Sequence, residues 1–451
     1  MTEFEEYYLN NGLKVGLVNI DSELSYVQLT VHQGAAHELP SEKGLSHLIE
    51  HIIASTATKS FSKNEINHQI NLSPISNANT NFAQTNYFFG QREFRTENIL
   101  NIIGEKIKVT EFDEELVASE KNRVIQEVQS QWKGENFNNE DLMVKLYGIE
   151  NKSLVNPSGN ESAVMKSTKY DLECLKNKTY TAANMDLIIA GKITQKLKKR
   201  IEKIFNPIEK GEANTRYTSS FKLNKKHNFR LYEEKLLNRN NREMSQLNFN
   251  KLIQISTEMY DFEDILNFRF IGYMLENPKF SPLQKEISSK LGWTYNIGAA
   301  ANITNGITNL TIDTTTKYLD HNKLNDKIED IISNLGEMID INLFEAVKES
   351  MIVSKINSKV DVINEANNIR NYWDFLEYKK TNNIKSNTKY ISNEEFLNKI
   401  IDLPLESIIN FSNKYLKNIS EKNSSTIIRD PLLTQETLKK YKVDNNNIYK
   451  F

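Results

Sequence analysis

The sequence predicts an α+β protein of two similar domains, each a mixed, mostly antiparallel sheet with helices packed on it. Three observations predict this. The chain of 451 residues is too long for one ordinary core. Its first half opens with short alternating segments punctuated by Asn, Gly and Pro, then passes into longer helical stretches. The same order recurs more faintly in the second half. The expected division is a first domain over 1–206, a connector over 207–228 and a second domain over 229–451.

Composition narrows the class. A hydrophobic share of 39% with 26% charged residues is that of a soluble globular protein. The formal net charge of −2 leaves no electrostatic footprint for nucleic acid. The single cysteine, Cys174, excludes an internal disulfide and a cysteine-based zinc cage, and is expected to be a small buried residue. The N-terminal Met1–Glu6 lacks the basic and apolar regions of a signal peptide, and no apolar run reaches membrane-spanning length. The expected compartment is the cytoplasm, with no membrane partner.

Tyr7 to Ile20 reads as a hairpin around Asn10-Asn11-Gly12, and Tyr26 to Val31 as a strand ending near Gly34. A helix follows Pro40 and Gly44, with Ser46 near its start. Lys63 to Ile70 is a further helix, and Ile75–Asn81 and Thr85–Phe89 are strand candidates. Asp113 to Trp132 is a long helix whose acidic start and apolar stripe (Leu116, Val117, Val124, Ile125, Val128) support the assignment. Helical segments are expected at Met143–Tyr147, Met165–Asn177 and Thr194–Phe205. Between the last two, Met185–Gly191 is an apolar run of strand length. Pro207 to Arg216 reads as linker. In the second half, strands are expected at Phe229–Leu231, Ser245–Phe249, Gly292–Ile297 and Ile307–Ile312. A helix is expected over Phe262–Leu275, and further helices over much of Asn322–Leu416.

The chemistry concentrates in Gly44–Ile53, where a helix would carry the pattern H-x-x-E-H. His47 and His51 are four residues apart (51−47=4) and project from one face. Glu50 lies on the same side, placed to hold a water, while Leu48, Ile49, Ile52 and Ile53 form the buried flank. Imidazoles and a carboxylate with one open position make a catalytic zinc site, and this residue order is the inverzincin signature. Glu50 is then the base, and a third ligand is needed. Glu120 and Glu127 share a face of the long helix (127−120=7). Glu127 is the candidate third ligand, with Glu120 holding a ligand from behind. The competing expectation is an ordinary solvated helix face. His32, His37 and His68 read as surface residues.

With these pieces in order, the chain resembles the pitrilysin family of inverzincins, which includes insulysin and the mitochondrial processing peptidases. The likeness rests on Gly34–Glu38 leading into Gly44–His51, on Glu127 seventy-six residues after His51 (127−51=76), and on Glu120 at the family's additional glutamate. Asn77-Ala78-Asn79-Thr80, followed by Thr85 and Tyr87, resembles the edge strand on which that family lays its substrate. Ser281–Glu286 and Gly292–Tyr295 resemble its C-terminal signature. Tyr295 matches the signature's Tyr, whereas Ser288 stands where the family has Arg (295−288=7).

The resemblance implies a zinc-dependent endopeptidase with one Zn2+ per chain, held by His47, His51 and Glu127, with Glu50, Glu120 and Tyr295 contributing to catalysis. It implies a peptide substrate laid along Asn77–Thr80, and a homodimer or a heterodimer with a related chain. Ser288 keeps open a partner chain that supplies the missing Arg. Two other readings are a peptidase-derived binding subunit and a zinc-stabilised structural protein. The intact His47, Glu50, His51 and Glu127 weigh against the first, and the lack of a fourth protein ligand against the second.

Overall fold

Two strands, β1 (Glu3–Tyr8) and β2 (Lys14–Asn19), pair antiparallel across the expected turn, where Gly12 takes φ 91°, a value glycine reaches without strain. The computed structural model describes residues 3–72, 75–132, 144, 146–148, 151–223, 227–232, 246–316, 320–357, 361–386, 389–429 and 448–450. The expected Met143–Tyr147 helix lies partly outside them. The first half continues with β3 (Leu24–Val31), α1 (Leu45–Ser55), α2 (Lys63–Asn71), β4 (Asn77–Thr80), β5 (Thr85–Arg92), α3 (Thr96–Ile107) and α4 (Glu114–Trp132). It closes with α5 (Glu161–Lys166), α6 (Lys169–Thr179), β6 (Met185–Gly191) and α7 (Gln195–Phe205). The second half runs β7 (His227–Tyr232), β8 (Leu247–Ser256), α8 (Phe262–Glu276), a π-helical segment (Gln284–Lys290), β9 (Ile297–Thr304) and β10 (Ile307–Thr316). Then come α9 (His321–Ser333), α10 (Leu335–Met338), α11 (Ile341–Asn357), α12 (Val362–Thr381), α13 (Asn393–Ile401), α14 (Leu405–Tyr415), β11 (Ser424–Arg429) and β12 (Ile448–Lys450).

The halves share a topology. One six-stranded sheet has the order β1-β2-β6-β3-β5-β4 and the other β12-β7-β11-β8-β10-β9. Five consecutive strands of each sheet correspond one to one, from β2 to the edge strand β4 and from β7 to the edge strand β9: β2 lies parallel to β6 as β7 does to β11, and the remaining neighbours are antiparallel. The outermost strand breaks the likeness, since β1 runs antiparallel to β2 but β12 parallel to β7.

Why Met185–Gly191 is apolar throughout is visible in its position. Leu187 and Ile189 face the helical layer that holds Leu48, Ile52, Leu100, Ile103 and Phe205. Ile188 and Ala190 face the opposite side, where Val362, Ala366, Ile369 and Trp373 of α12 cover them. A helix from the second half of the chain therefore completes the first sheet. Gly16 makes room for it, because a Cβ there would meet the Trp373 ring at 2.8 Å. Arg370 on α12 donates to Asp186 Oδ2 on β6 (2.9 Å) and Thr30 Oγ1 on β3 (3.0 Å). His32 joins this buried cluster with Nε2 at 2.6 Å from the same Asp186 oxygen, so it is not the surface residue expected.

Other expectations are corrected locally. Met165–Asn177 is two helices, because Ser167 and Thr168 break the run and Thr168 caps the second. Cys174 is exposed rather than buried, since the buried face of α6 carries Leu172, Lys176 and Thr179. Gly292–Asn296 is a loop, and its strand starts only at Ile297. There Gly292 turns the chain at φ 64°, and Ser288 Oγ donates to the carbonyls of Thr294 and Tyr295, both at 2.8 Å. The expected linker is strapped to the first half, with Ala182 and Ala183 N–H donating to the carbonyls of Glu209 and Lys210 and Asn214 donating to His32 O.

Candidate metal centre

The helix that carries both histidines is buried on one side and capped by a carboxylate. Leu45, Leu48, Ile49, Ile52 and Ile53 follow helical spacing and are buried, at about 1.5–3 kcal/mol for each fully buried large side chain. Its first turn is not capped by Ser46. Gly44 is the N-cap at φ 96°, and Glu38 accepts hydrogen bonds from the N–H groups of Gly44 (2.9 Å) and Ser46 (2.7 Å). A carboxylate there satisfies orphan donors and complements the positive end of the helix dipole. Ser46 Oγ instead accepts from Gln33 Nε2 at 3.1 Å.

The exposed side of α1 meets α4. His47 Nε2 lies 3.6 Å and His51 Nε2 3.7 Å from Glu127 Oε2, and the two imidazole nitrogens are 3.2 Å apart. These three atoms are the vertices of a nearly equilateral triangle. Tetrahedral zinc with bonds of about 2.0–2.1 Å requires ligand separations of about 3.3–3.4 Å. The donor set fits that ion in size and in chemistry. Burial, with His51 beside it, pushes the His47 imidazole down to about 4, so it is neutral and able to ligate near pH 7.

Behind the triangle, His51 Nδ1 donates to Glu120 Oε2 at 3.4 Å, and Arg123 holds Glu120 Oε1 at 3.0 Å. Glu120 is 1% exposed at its side chain and Glu127 46%, although both lie on the same helix face. The first is packed under His51 and the second stands at the opening.

Glu50 is buried beside the triangle, where Thr80 Oγ1 donates to its Oε2 at 2.7 Å. Burial raises the Glu50 carboxyl, the Thr80 hydroxyl and His51 pull it down, and Glu127 raises it again. Asn77–Thr80 forms β4, the edge of the first sheet, paired only with β5 among the described strands. Asn77 and Asn79 point outward, whereas Ala78 and Thr80 are half-buried. Thr80 thus faces Glu50, a relation that strand periodicity alone did not reveal.

Tyr295 is not part of this cluster. Its side chain is 95% exposed, and among the described residues it makes no hydrogen bond to the first half. Ser288 is half a staple of the Tyr295 loop and presents no charge. At the position in the second half that corresponds to α1, helix α8 carries no histidine. Arg123, Glu38 and Thr80 were the partners not anticipated. Only Arg123, three residues after Glu120 on a helix, had a spacing that pointed to its role.

Comparison with known proteins agrees with this architecture. The family described as Insulinase (Peptidase family M16) matches residues 14–158, and the Peptidase M16 inactive domain matches 166–351. An uncharacterized zinc protease of Rickettsia felis is 25% identical over 425 residues, covering 91% of this chain and 95% of the relative. Human insulin-degrading enzyme is 28% identical over 188 residues, 41% of this chain and 18% of that protein. A protease from Helicobacter pylori superposes with a TM-score of 0.69 at 17% identity, covering 96% of this chain and all of that one. The periplasmic protease PqqL of Escherichia coli superposes at 0.71 with 15% identity, this chain spanning 51% of its length.

A two-domain peptidase fold is thereby defined. The chain belongs to peptidase family M16, the insulinase or pitrilysin family of metallopeptidases. No helix among the described residues is long and apolar enough to cross a membrane.

Proposed function

We propose that the chain is a zinc-dependent endopeptidase that hydrolyses peptides or peptide precursors. The observation that carries this reading is the triangle of His47, His51 and Glu127 with the buried carboxylate of Glu50 beside it. A zinc ion held there would supply Lewis acidity, polarising a scissile carbonyl and bringing water toward ionisation at neutral pH.

The chain's own residues do the rest. Glu50 takes the proton of the attacking water and delivers it to the leaving amine. Thr80 occupies one Glu50 oxygen and so leaves the other free for that proton. Glu120, steadied by Arg123, fixes the His51 tautomer with Nδ1–H toward itself and the Nε2 lone pair outward. The β4 edge offers main-chain groups of Asn77–Thr80 to an extended peptide, which orders substrate with little demand on its sequence. In this proposal residues 1–206 are the peptidase unit, 207–228 the connector and 229–451 a second domain that lends α12 to the first. The cytoplasm is the proposed compartment, and fractionation tests it.

A second reading is favoured by Ser288 and by the solvent-facing Tyr295. A heterodimer with a related chain would complete the substrate site with the Arg that Ser288 replaces, whereas in a homodimer Tyr295 with Lys285 or Lys290 would have to serve. A relative from Dictyostelium discoideum is named as the beta subunit of a mitochondrial-processing peptidase.

Mass spectrometry of a mixed peptide library incubated with the purified protein tests both readings. Cleavage by the protein with zinc, lost with a chelator and in Glu50→Gln while that variant still binds zinc, is the expected result. Retained cleavage in Glu50→Gln removes Glu50 as the base. Zinc bound one per chain without cleavage by the single species favours the partner reading.

A further inference from the structure

We infer that Lys106, on α3, is a positioning residue for the metal helix: its ammonium is the C-terminal cap of α1 and holds the turn from which His51 projects. The inference rests on the proposed metal reading, and it stands on geometry. Lys106 is 4% exposed. Its Nζ donates to three main-chain carbonyls at the end of α1, those of Ile53 (2.8 Å), Ala54 (2.8 Å) and Thr56 (3.1 Å). No carboxylate among the described residues pairs with it. The chain leaves α1 directly into extended backbone at Thr56 (φ −71°, ψ 143°), without the left-handed glycine that commonly satisfies these carbonyls. Lys106 takes over that task. A cation at this end also meets the negative pole of the helix dipole.

The neighbouring residue completes the hold. Glu105 Oε2 accepts the N–H of Ser60 at 3.0 Å, so the last turn of α3 engages the α1–α2 connection with one charge of each sign. His51 lies within one turn of the capped Ile53 and Ala54 carbonyls, and its own carbonyl belongs to the helical turn that ends at Ser55. Fraying of that turn would swing the imidazole away from Glu127 and Glu120. With Glu38 at its other end, α1 is fastened at both termini by buried charges of the sign its dipole favours.

Burial and then Lys63 push the Lys106 ammonium down to about 7, which is the desolvation cost of seating an amine among these carbonyls. The same device recurs in the first half. Lys176, also buried, donates to Ile107 O at the end of α3 (2.7 Å), and Lys121 donates to Ser167 O after α5 (2.7 Å). Helix α3 is thus capped by Lys176 and in turn caps α1 through Lys106.

The test uses the full chain and three variants. Lys106→Met keeps length and apolar bulk and removes the charge, Lys106→Arg restores a cation, and Lys348→Met removes an equivalent cap on Leu403 O after α13. Two readouts are taken: zinc transfer to a colorimetric chelator, and hydrogen exchange of the α1 amides in metal-free protein. Lys106→Met is expected to release zinc about tenfold faster, in line with supporting residues around metal ligands, and to lose protection at the end of α1. Lys106→Arg should recover most of both, and Lys348→Met should change neither. Should Lys106→Met not fold, Lys106→Gln, a neutral donor, is measured in its place. Wild-type zinc release and wild-type α1 exchange in the uncharged variant overturn the inference. If wild-type protein binds no zinc, the metal reading fails, while exchange still decides whether Lys106 secures α1.

Discussion

Thr80→Val is the sharpest probe of the proposed base. Valine nearly matches threonine in shape, so the edge strand keeps its packing and loses one hydroxyl. That hydroxyl has a single hydrogen, given to Glu50 Oε2 at 2.7 Å. Thr85 cannot replace it, because its own hydrogen goes to Gln33 O at 2.9 Å. Hydrogen bonds to charged groups are worth about 1.5–3 kcal/mol, which corresponds to roughly a 10- to 150-fold fall in kcat/KM if Glu50 must be ionised and oriented. The direction with pH follows. Burial already raises the Glu50 carboxyl and the Thr80 hydroxyl lowers it. Removing the donor raises it further, so activity that requires the carboxylate begins to fail at a higher pH as acid is added. The assay is kcat/KM on a fluorogenic peptide between about pH 5 and 9, with zinc content measured in parallel and Thr80→Ser as the rescue. An unchanged rate and an unmoved acid limb in zinc-loaded Thr80→Val would refute this role of the Thr80–Glu50 contact.

Two further outcomes concern the rest of the molecule. Arg370→Met removes the guanidinium 2.9 Å from buried Asp186 and leaves that carboxylate with His32 and the more distant Arg216. Since breaking a buried pair outright costs about 3–5 kcal/mol, the loss here is set below that; thermal unfolding should start lower with zinc content unchanged, and an unaltered Tm would show that α12 is held by its apolar face alone. Ser288→Ala removes the donor to Thr294 O and Tyr295 O. Hydrogen exchange should rise across residues 291–296 while zinc binding stays the same, and unaltered exchange would remove Ser288 as the staple of the Tyr295 loop.

Much of the metal cluster was legible because its geometry is local. A four-residue spacing places His47 and His51 on one helical face whatever the fold, and a seven-residue spacing does the same for Glu120 and Glu127. The strands were legible where alternation or an apolar run met a turn residue, as at Gly12 and Gly191. The loop at 292–296 was misread as strand because side chains outside it, Ser288 and Gln284, decide its backbone. Cys174 and His32 were misread for a related reason: exposure depends on which face a neighbour covers, and that neighbour is remote in sequence.

By itself, then, the amino-acid order determined the two-sheet class, the helix bearing H-x-x-E-H and the pairing of carboxylates on the long helix, since all follow from periods of two or 3.6 residues. Only the tertiary structure decided that Glu127 stands open beside the imidazoles while Glu120 lies sealed beneath one. It also decided that Thr80 reaches Glu50, that Lys106 closes the metal helix, and that α12 crosses to the first sheet. Those contacts join residues 30 to 340 positions apart, and no local periodicity carries the register between such distant segments; the packing of the two halves does.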